Sequence, residues 1–136
     1  MDQHPLIKVE RLSRHFGPQR AVHGLDFELR RGEVLGLLGP NGAGKSTSMK
    51  MLTGNLAPSA GAISINGIDL LERPRQAKAA LGYLPEQPPL YRELSVEEFL
   101  RHCARLHAIP RARASAAIER AIERCGLGEM RRRLIG

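Results

Sequence analysis

The chain has 136 residues, 42% of them hydrophobic, with a formal net charge of +7, which is long enough for one domain with its own core. No apolar run approaches the roughly 18 residues of a membrane span, and Cys103 and Cys125 are too few and too far apart to read as a disulfide framework. Ten Arg and six Glu in residues 91–136, after eleven basic and eight acidic residues in the first ninety, spread the charge along the chain. With two Tyr, three Phe and no Trp there is little to stack bases on, which argues against a nucleic-acid partner.

The N-terminal Met1-Asp2-Gln3-His4-Pro5 is polar and lacks an apolar targeting segment, so a cytoplasmic chain is expected. Leu6 to Phe16 alternates enough for a strand exposed on one side. Its expected partner is Ala21 to Arg30, with a turn at His15-Phe16-Gly17-Pro18-Gln19. After Arg31-Gly32, the run Val34-Leu35-Gly36-Leu37-Leu38 is apolar on both faces and predicts a buried central strand.

That run leads into Gly39-Pro40-Asn41-Gly42-Ala43-Gly44-Lys45-Ser46-Thr47. The spacing G-x-x-x-x-G-K-S between a strand and a helix from Lys45 to about Leu52 is a P-loop. Glycines permit backbone angles that turn successive N–H groups inward toward an anion, and the helix start adds partial positive charge. In such a cradle Lys45 reaches the β and γ phosphates and the Ser46 hydroxyl gives one oxygen to Mg²⁺.

Gly54 is placed to stop the helix, and Asn55 to Gly61 reads as a loop. Ala62 to Ile65 predicts a short strand ended by the turn dipeptide Asn66-Gly67. Leu71 to Ala80 looks helical, restricted by Pro74. Leu81 to Leu84 predicts another short strand, stopped by the stiff Pro85-Glu86-Gln87-Pro88-Pro89. Ser95 and Glu98 form a capping box, with Leu94 and Phe99 at the positions of a hydrophobic staple. Val96, Phe99, Leu100, Cys103 and Leu106 then predict one buried helix face. Pro110 opens a second helix, with Ala114, Ile118, Ala121, Ile122 and Cys125 inward and Gly126 as its stop. The two helices should pair. Residues 129–136 are short and basic, and Arg131-Arg132-Arg133 reads as a solvated run or a contact for acidic headgroups or a membrane partner. Cys103 and His107, with His102 adjacent, are spaced to share a metal, but a cysteine on an apolar face usually packs as a small hydrophobe.

This order of elements resembles the nucleotide-binding domain of ATP-binding cassette (ABC) transporters over nearly the whole chain. Three features carry the resemblance: the P-loop in the form Gly-Pro-Asn-Gly-Ala-Gly-Lys-Ser-Thr, Phe16, and Gln87 in Leu84-Pro85-Glu86-Gln87. The continuation Pro88-Pro89-Leu90-Tyr91 with Leu94-Ser95-Val96-Glu97-Glu98 is similar to the multidrug and ABC-2-type export branch. Taken alone, Phe16 would fit a core position beside a turn and Gln87 an ordinary polar loop. The resemblance implies that Phe16 stacks on adenine, and that Gln87 is a Mg²⁺ ligand and γ-phosphate sensor. It also implies binding of ATP and Mg²⁺ by residues 39–47, with Lys45 and Gln87 the catalytic pair. The implied fold is α/β: a P-loop NTPase core with an N-terminal antiparallel β segment over residues 1–90, and the start of a helical subdomain over 91–136. A transmembrane permease subunit and a second nucleotide-binding domain are the implied partners, and the chain would lie at the inner face of the membrane.

The sequence also departs from that pattern. The signature Leu-Ser-Gly-Gly-Gln, an apolar strand ending in Asp-Glu and the switch histidine do not occur in these 136 residues. The expectation is therefore the N-terminal half of such a domain, binding ATP with little hydrolysis of its own. A GTPase is disfavoured because no Asn-Lys-x-Asp follows Asn41, Asn55 or Asn66, and a small-molecule kinase because it has no need of the strands before the P-loop.

Overall fold

A computed structural model describes residues 4–39 and 44–136. The chain divides into two compact units, one running to Tyr83 and the other beginning at Leu84.

In the first unit, β1 (Ile7–Phe16), β2 (Gln19–Leu29), β3 (Ala60–Ile65) and β4 (Ile68–Asp69) form an antiparallel sheet in the order β2-β1-β3-β4. The turn between β1 and β2 is tighter than the sequence suggests, because Phe16 pairs with Gln19 and only Gly17 and Pro18 lie between the strands. Strict alternation along β1 would put Val9 and Arg11 on the same face. A bulge prevents this: Val9 pairs with Phe27 and Leu12 with Leu25, so the extra residue turns Leu12 back into the core. Arg11 adopts φ 47° there, and its N–H donates to Asp26 Oδ1 at 2.7 Å.

The helix α1 (Lys45–Leu52) packs Met51 and Leu52 into a core with Val9, Leu12, Val22, Ile63, Ile65 and Leu70. Its predicted stop is present. Gly54 takes φ 72°, the Gly54 N–H donates to the Met51 carbonyl and the Asn55 N–H to the Lys50 carbonyl, which satisfies the final turn. Asn66 and Gly67, both at positive φ, make the two-residue turn between β3 and β4. The helix α2 (Pro74–Ala79) begins at Pro74, while Asp69 Oδ1 accepts the N–H groups of Leu71 and Glu72 before it.

Two predicted strands do not form. Residues 34–38 are not in the sheet, and Val34 is 99% and Leu38 95% exposed, although Leu37 packs against the core. Residues 81–84 are likewise unpaired, with Leu84 82% exposed. An apolar run becomes a central strand only when neighbouring strands take up its N–H and C=O groups, and none pairs with these runs among the described residues.

The second unit is built on α3 (Val96–Leu106) and α4 (Arg111–Arg124), which pack against each other as expected. Both halves of the capping box form: the Glu98 N–H donates to Ser95 Oγ at 3.3 Å and the Ser95 N–H to Glu98 Oε2 at 2.8 Å. The Ser95 N–H, and after it the Ser95 hydroxyl, hold the Glu98 carboxyl below its usual range. Pro110 is the residue before α4 and not its first helical position, and Gly126 closes α4 at φ 63°.

The apolar faces differ from the prediction at their ends. Ala104, Ile118 and Ile122 are buried, whereas Leu106 and Cys125 are exposed. After α3, Ala108 at φ 52° reverses the chain and the Ile109 N–H donates to the Ala104 carbonyl, so half-buried Ile109 follows the last turn in the place expected for Leu106. The basic tail is also more than a solvated run. After a 3₁₀ turn at Gly128–Met130, residues 131–136 return to the start of α3. Val96 and Glu97 donate to the carbonyls of Arg133 and Arg131, while Ile135 and Gly136 donate to those of Leu94 and Arg92. Arg131 forms ion pairs with Glu97 and Glu119, and its hydrogen bond to Glu119 holds that carboxyl below its ordinary range. No helix among the described residues is long and apolar enough to cross a membrane.

Candidate functional site

The site is built where β2 meets the start of α1. Gly44 precedes the first helical residue and has φ 88°, a left-handed conformation that glycine adopts without penalty. A Cβ here would lie 2.2 Å from the Ala21 carbonyl oxygen and 3.0 Å from Val22 Cγ2. The helix head is therefore seated directly on the β2 backbone.

No side chain caps α1 among the described residues, and its first turn holds no acidic residue. Its head is left with the positive end of the peptide dipoles and N–H groups not used within the helix, as an anion site requires. The Ser48 N–H closes the first intrahelical bond to the Gly44 carbonyl at 2.8 Å. Lys45 is half-buried, and its Nζ donates to the Gly39 carbonyl, so the lysine spans the loop from one end to the other. Ser46 is exposed and Thr47 half-buried within the same first turn.

These features suit a polyphosphate with its metal. The Gly44 position has no room for a side chain, the helix head carries no carboxylate to repel an anion, and the exposed Ser46 hydroxyl is a hard oxygen donor of the kind Mg²⁺ accepts. Pro40, Asn41, Gly42 and Ala43 lie outside the described residues.

Phe16 ends β1 and is 45% exposed, so it is not the core aromatic that its sequence position alone would allow. The Arg14 guanidinium lies over its ring, 4.7 Å from the centroid. Gln87 belongs to the second unit, exposed on a bend between Pro85 and Pro88. Cys103 is half-buried on α3, where burial pushes its thiol up from the ordinary range.

Several contributors were not evident in the sequence. Ala21 acts through its backbone oxygen, which no residue type reveals. Ser59 is another: its Oγ accepts from the His15 N–H at 3.0 Å, and its own N–H donates to the Ser13 carbonyl at 2.8 Å. Arg14 was in principle detectable, because a cation two residues before an aromatic on a strand shares its face.

Comparison with known proteins points the same way. The family described as ABC transporter matches residues 22–136. The probable multidrug ABC transporter ATP-binding protein YbhF of Escherichia coli is 38% identical over 122 residues, covering 90% of this chain and 21% of its own length. Daunorubicin resistance ATP-binding protein DrrA3 of Streptomyces coeruleorubidus is 34% identical over 129 residues, 95% of this chain and 41% of its own. A solved ATP binding subunit of an ABC transporter superposes with a TM-score of 0.82 at 35% identity, covering 95% of this chain and 54% of that one. The cbiO1 structure from Clostridium perfringens, part of the ABC transporter complex cbiONQ, gives 0.80 at 25% identity, 96% and 54%. The chain thus spans about half of these solved structures and less than half of these curated relatives.

Proposed function

The chain belongs to the ABC transporter family, and from that premise we propose that it binds Mg-ATP as the phosphate-holding half of a transporter's ATP-binding subunit. The observation that carries this is the head of α1: a left-handed Gly44 packed on the Ala21 carbonyl, an uncapped helix start without acid, and Lys45 folded across the loop to Gly39.

In this reading, the N–H groups at the start of α1 bind the phosphates, and the Lys45 ammonium neutralises charge on the β and γ groups. The Ser46 hydroxyl and the Gln87 side-chain oxygen would hold Mg²⁺, which when bound would offset phosphate charge, and Phe16 takes the adenine ring. Gln87, on a proline-stiffened segment, is proposed to sense the γ phosphate. In the whole protein nucleotide binding drives a transmembrane permease, with a second ATP-binding domain completing the site at the inner face of the membrane.

Hydrolysis is assigned to the whole protein and not to these 136 residues. Orienting the attacking water needs a base or polar group beside the γ phosphate, and no apolar strand ending in Asp-Glu occurs in this sequence. The purified chain should bind Mg-ATP and turn it over negligibly. Thermal melting tests the binding: saturation at a hundredfold excess over Kd adds about 2.7 kcal/mol of stability, and Lys45→Ala should abolish the shift. No nucleotide-dependent shift, or robust Lys45-dependent turnover by the chain alone, would refute the respective part.

A further inference from the structure

Arg14 has two attachments. Its Nη1 donates to the Ala57 carbonyl at 2.9 Å, and its Cζ stands 4.7 Å from the centre of the Phe16 ring. Ala57 lies in the segment that leaves α1, two residues before Ser59, whose backbone and hydroxyl bond to Ser13 and His15. Three consecutive residues of β1 are therefore tied to the segment behind the phosphate-binding helix, immediately before Phe16.

Arg14 Nε is buried and has no hydrogen-bond acceptor among the described residues. A buried donor left in that way is costly, so this is not how an arginine lies when solvation alone decides. The π face of Phe16 and the Ala57 oxygen are what the guanidinium meets instead. The ring, in turn, has one face covered while 45% of the residue remains exposed.

We propose that Arg14 is a positioning residue for nucleotide binding: anchored on Ala57, it fixes the plane of Phe16 and leaves the opposite face of the ring open for the purine. This rests on reading the site as an ATP site with the base on Phe16. A free surface ring samples several rotamers and must lose that freedom when a base stacks on it. Arg14 orders the ring beforehand. Lysine would keep the charge but not the flat guanidinium that lies on a ring while donating in its own plane.

The test compares affinities of the purified protein for Mg-ATP and for Mg-tripolyphosphate, which has the phosphates and no base. Calorimetry would cover the wild type, Arg14→Ala, Arg14→Lys, Phe16→Ala and the Arg14→Ala/Phe16→Ala pair, with melting curves confirming that each folds. Arg14→Ala should weaken ATP binding roughly threefold to tenfold and leave tripolyphosphate unchanged. Arg14→Lys should recover only part of the loss, and serves alone if the alanine variant does not fold. The double variant should bind no more weakly than Phe16→Ala, because Arg14 acts through the ring. Equal losses for both ligands, or fully additive losses in the pair, would overturn the proposal. A loss in Phe16→Ala with none in Arg14→Ala would remove the role of Arg14 and keep the base site. No effect of Phe16→Ala on ATP would remove the base site itself, and this inference with it.

Discussion

Gly44 faces the backbone carbonyl of Ala21 so closely that a methyl group in place of its hydrogen would sit 2.2 Å from the oxygen. The contact seats the phosphate-binding helix on the strand that precedes it, and the obstacle is backbone, which cannot swing aside. Gly44→Ala should cost on the order of 2–3 kcal/mol, from positive φ together with overlap. The expected readouts are a melting temperature lower by roughly 10–20 °C and loss of the Mg-ATP shift. A variant that melts like the wild type would show that the helix head is not seated in this way.

Acid should weaken the helical unit in a defined direction. Glu98, bonded by Ser95, and Glu119, paired with Arg131, both have carboxyls held below their ordinary value of 4.5. The folded state therefore binds these protons less readily than the unfolded chain. Their contribution is fully present above the ordinary value, and is lost as pH falls below 4.5 through the lowered folded values. Denaturant unfolding between pH 6 and 2.5 should show the decline, and the pair Glu98→Gln/Glu119→Gln should flatten it. An unchanged slope in that variant would assign the acid sensitivity to other groups.

Arg131 holds the tail to the head of α3 through Glu97 while also reaching Glu119 on α4. Arg131→Ala should free residues 131–136 without unfolding the helices. The amides of Val96, Glu97, Ile135 and Gly136, all bonded across this junction, should exchange with solvent at least roughly threefold faster. Amides in the middle of α4 should be unaffected. Uniform acceleration through the unit would mean that Arg131 supports the fold as a whole.

The two cysteines should differ in reactivity. Cys125 is exposed, while Cys103 is half-buried with its thiol raised by burial. A thiol reagent at neutral pH should label Cys125 first, and label Cys103 rapidly only in denaturant. Equal rates in the native protein would contradict the packing of α3 on α4. Ser95→Ala, which removes the cap of α3, should cost about 1 kcal/mol and bring the two rates closer.

Much of the molecule is written locally. The capping box of Ser95 and Glu98, the stops at Gly54 and Gly126 and the Asn66-Gly67 turn each depend on backbone angles and hydrogen bonds within a few residues. Their sequence spacing is enough to find them. The ABC family itself was legible for the same reason, since its P-loop is a continuous stretch. Tertiary structure decided whatever needs a distant partner. Residues 34–38 have the composition of a central strand but no paired neighbour among the described residues. Ile109 stands in for Leu106 because the chain reverses at Ala108, and Arg131 is tied down only because the tail returns to Glu97. Arg14 is the clearest case. Its place two residues before Phe16 puts both side chains on one face of the strand, but the bond to Ala57, 43 residues away, that anchors the guanidinium beside the ring needs the folded chain.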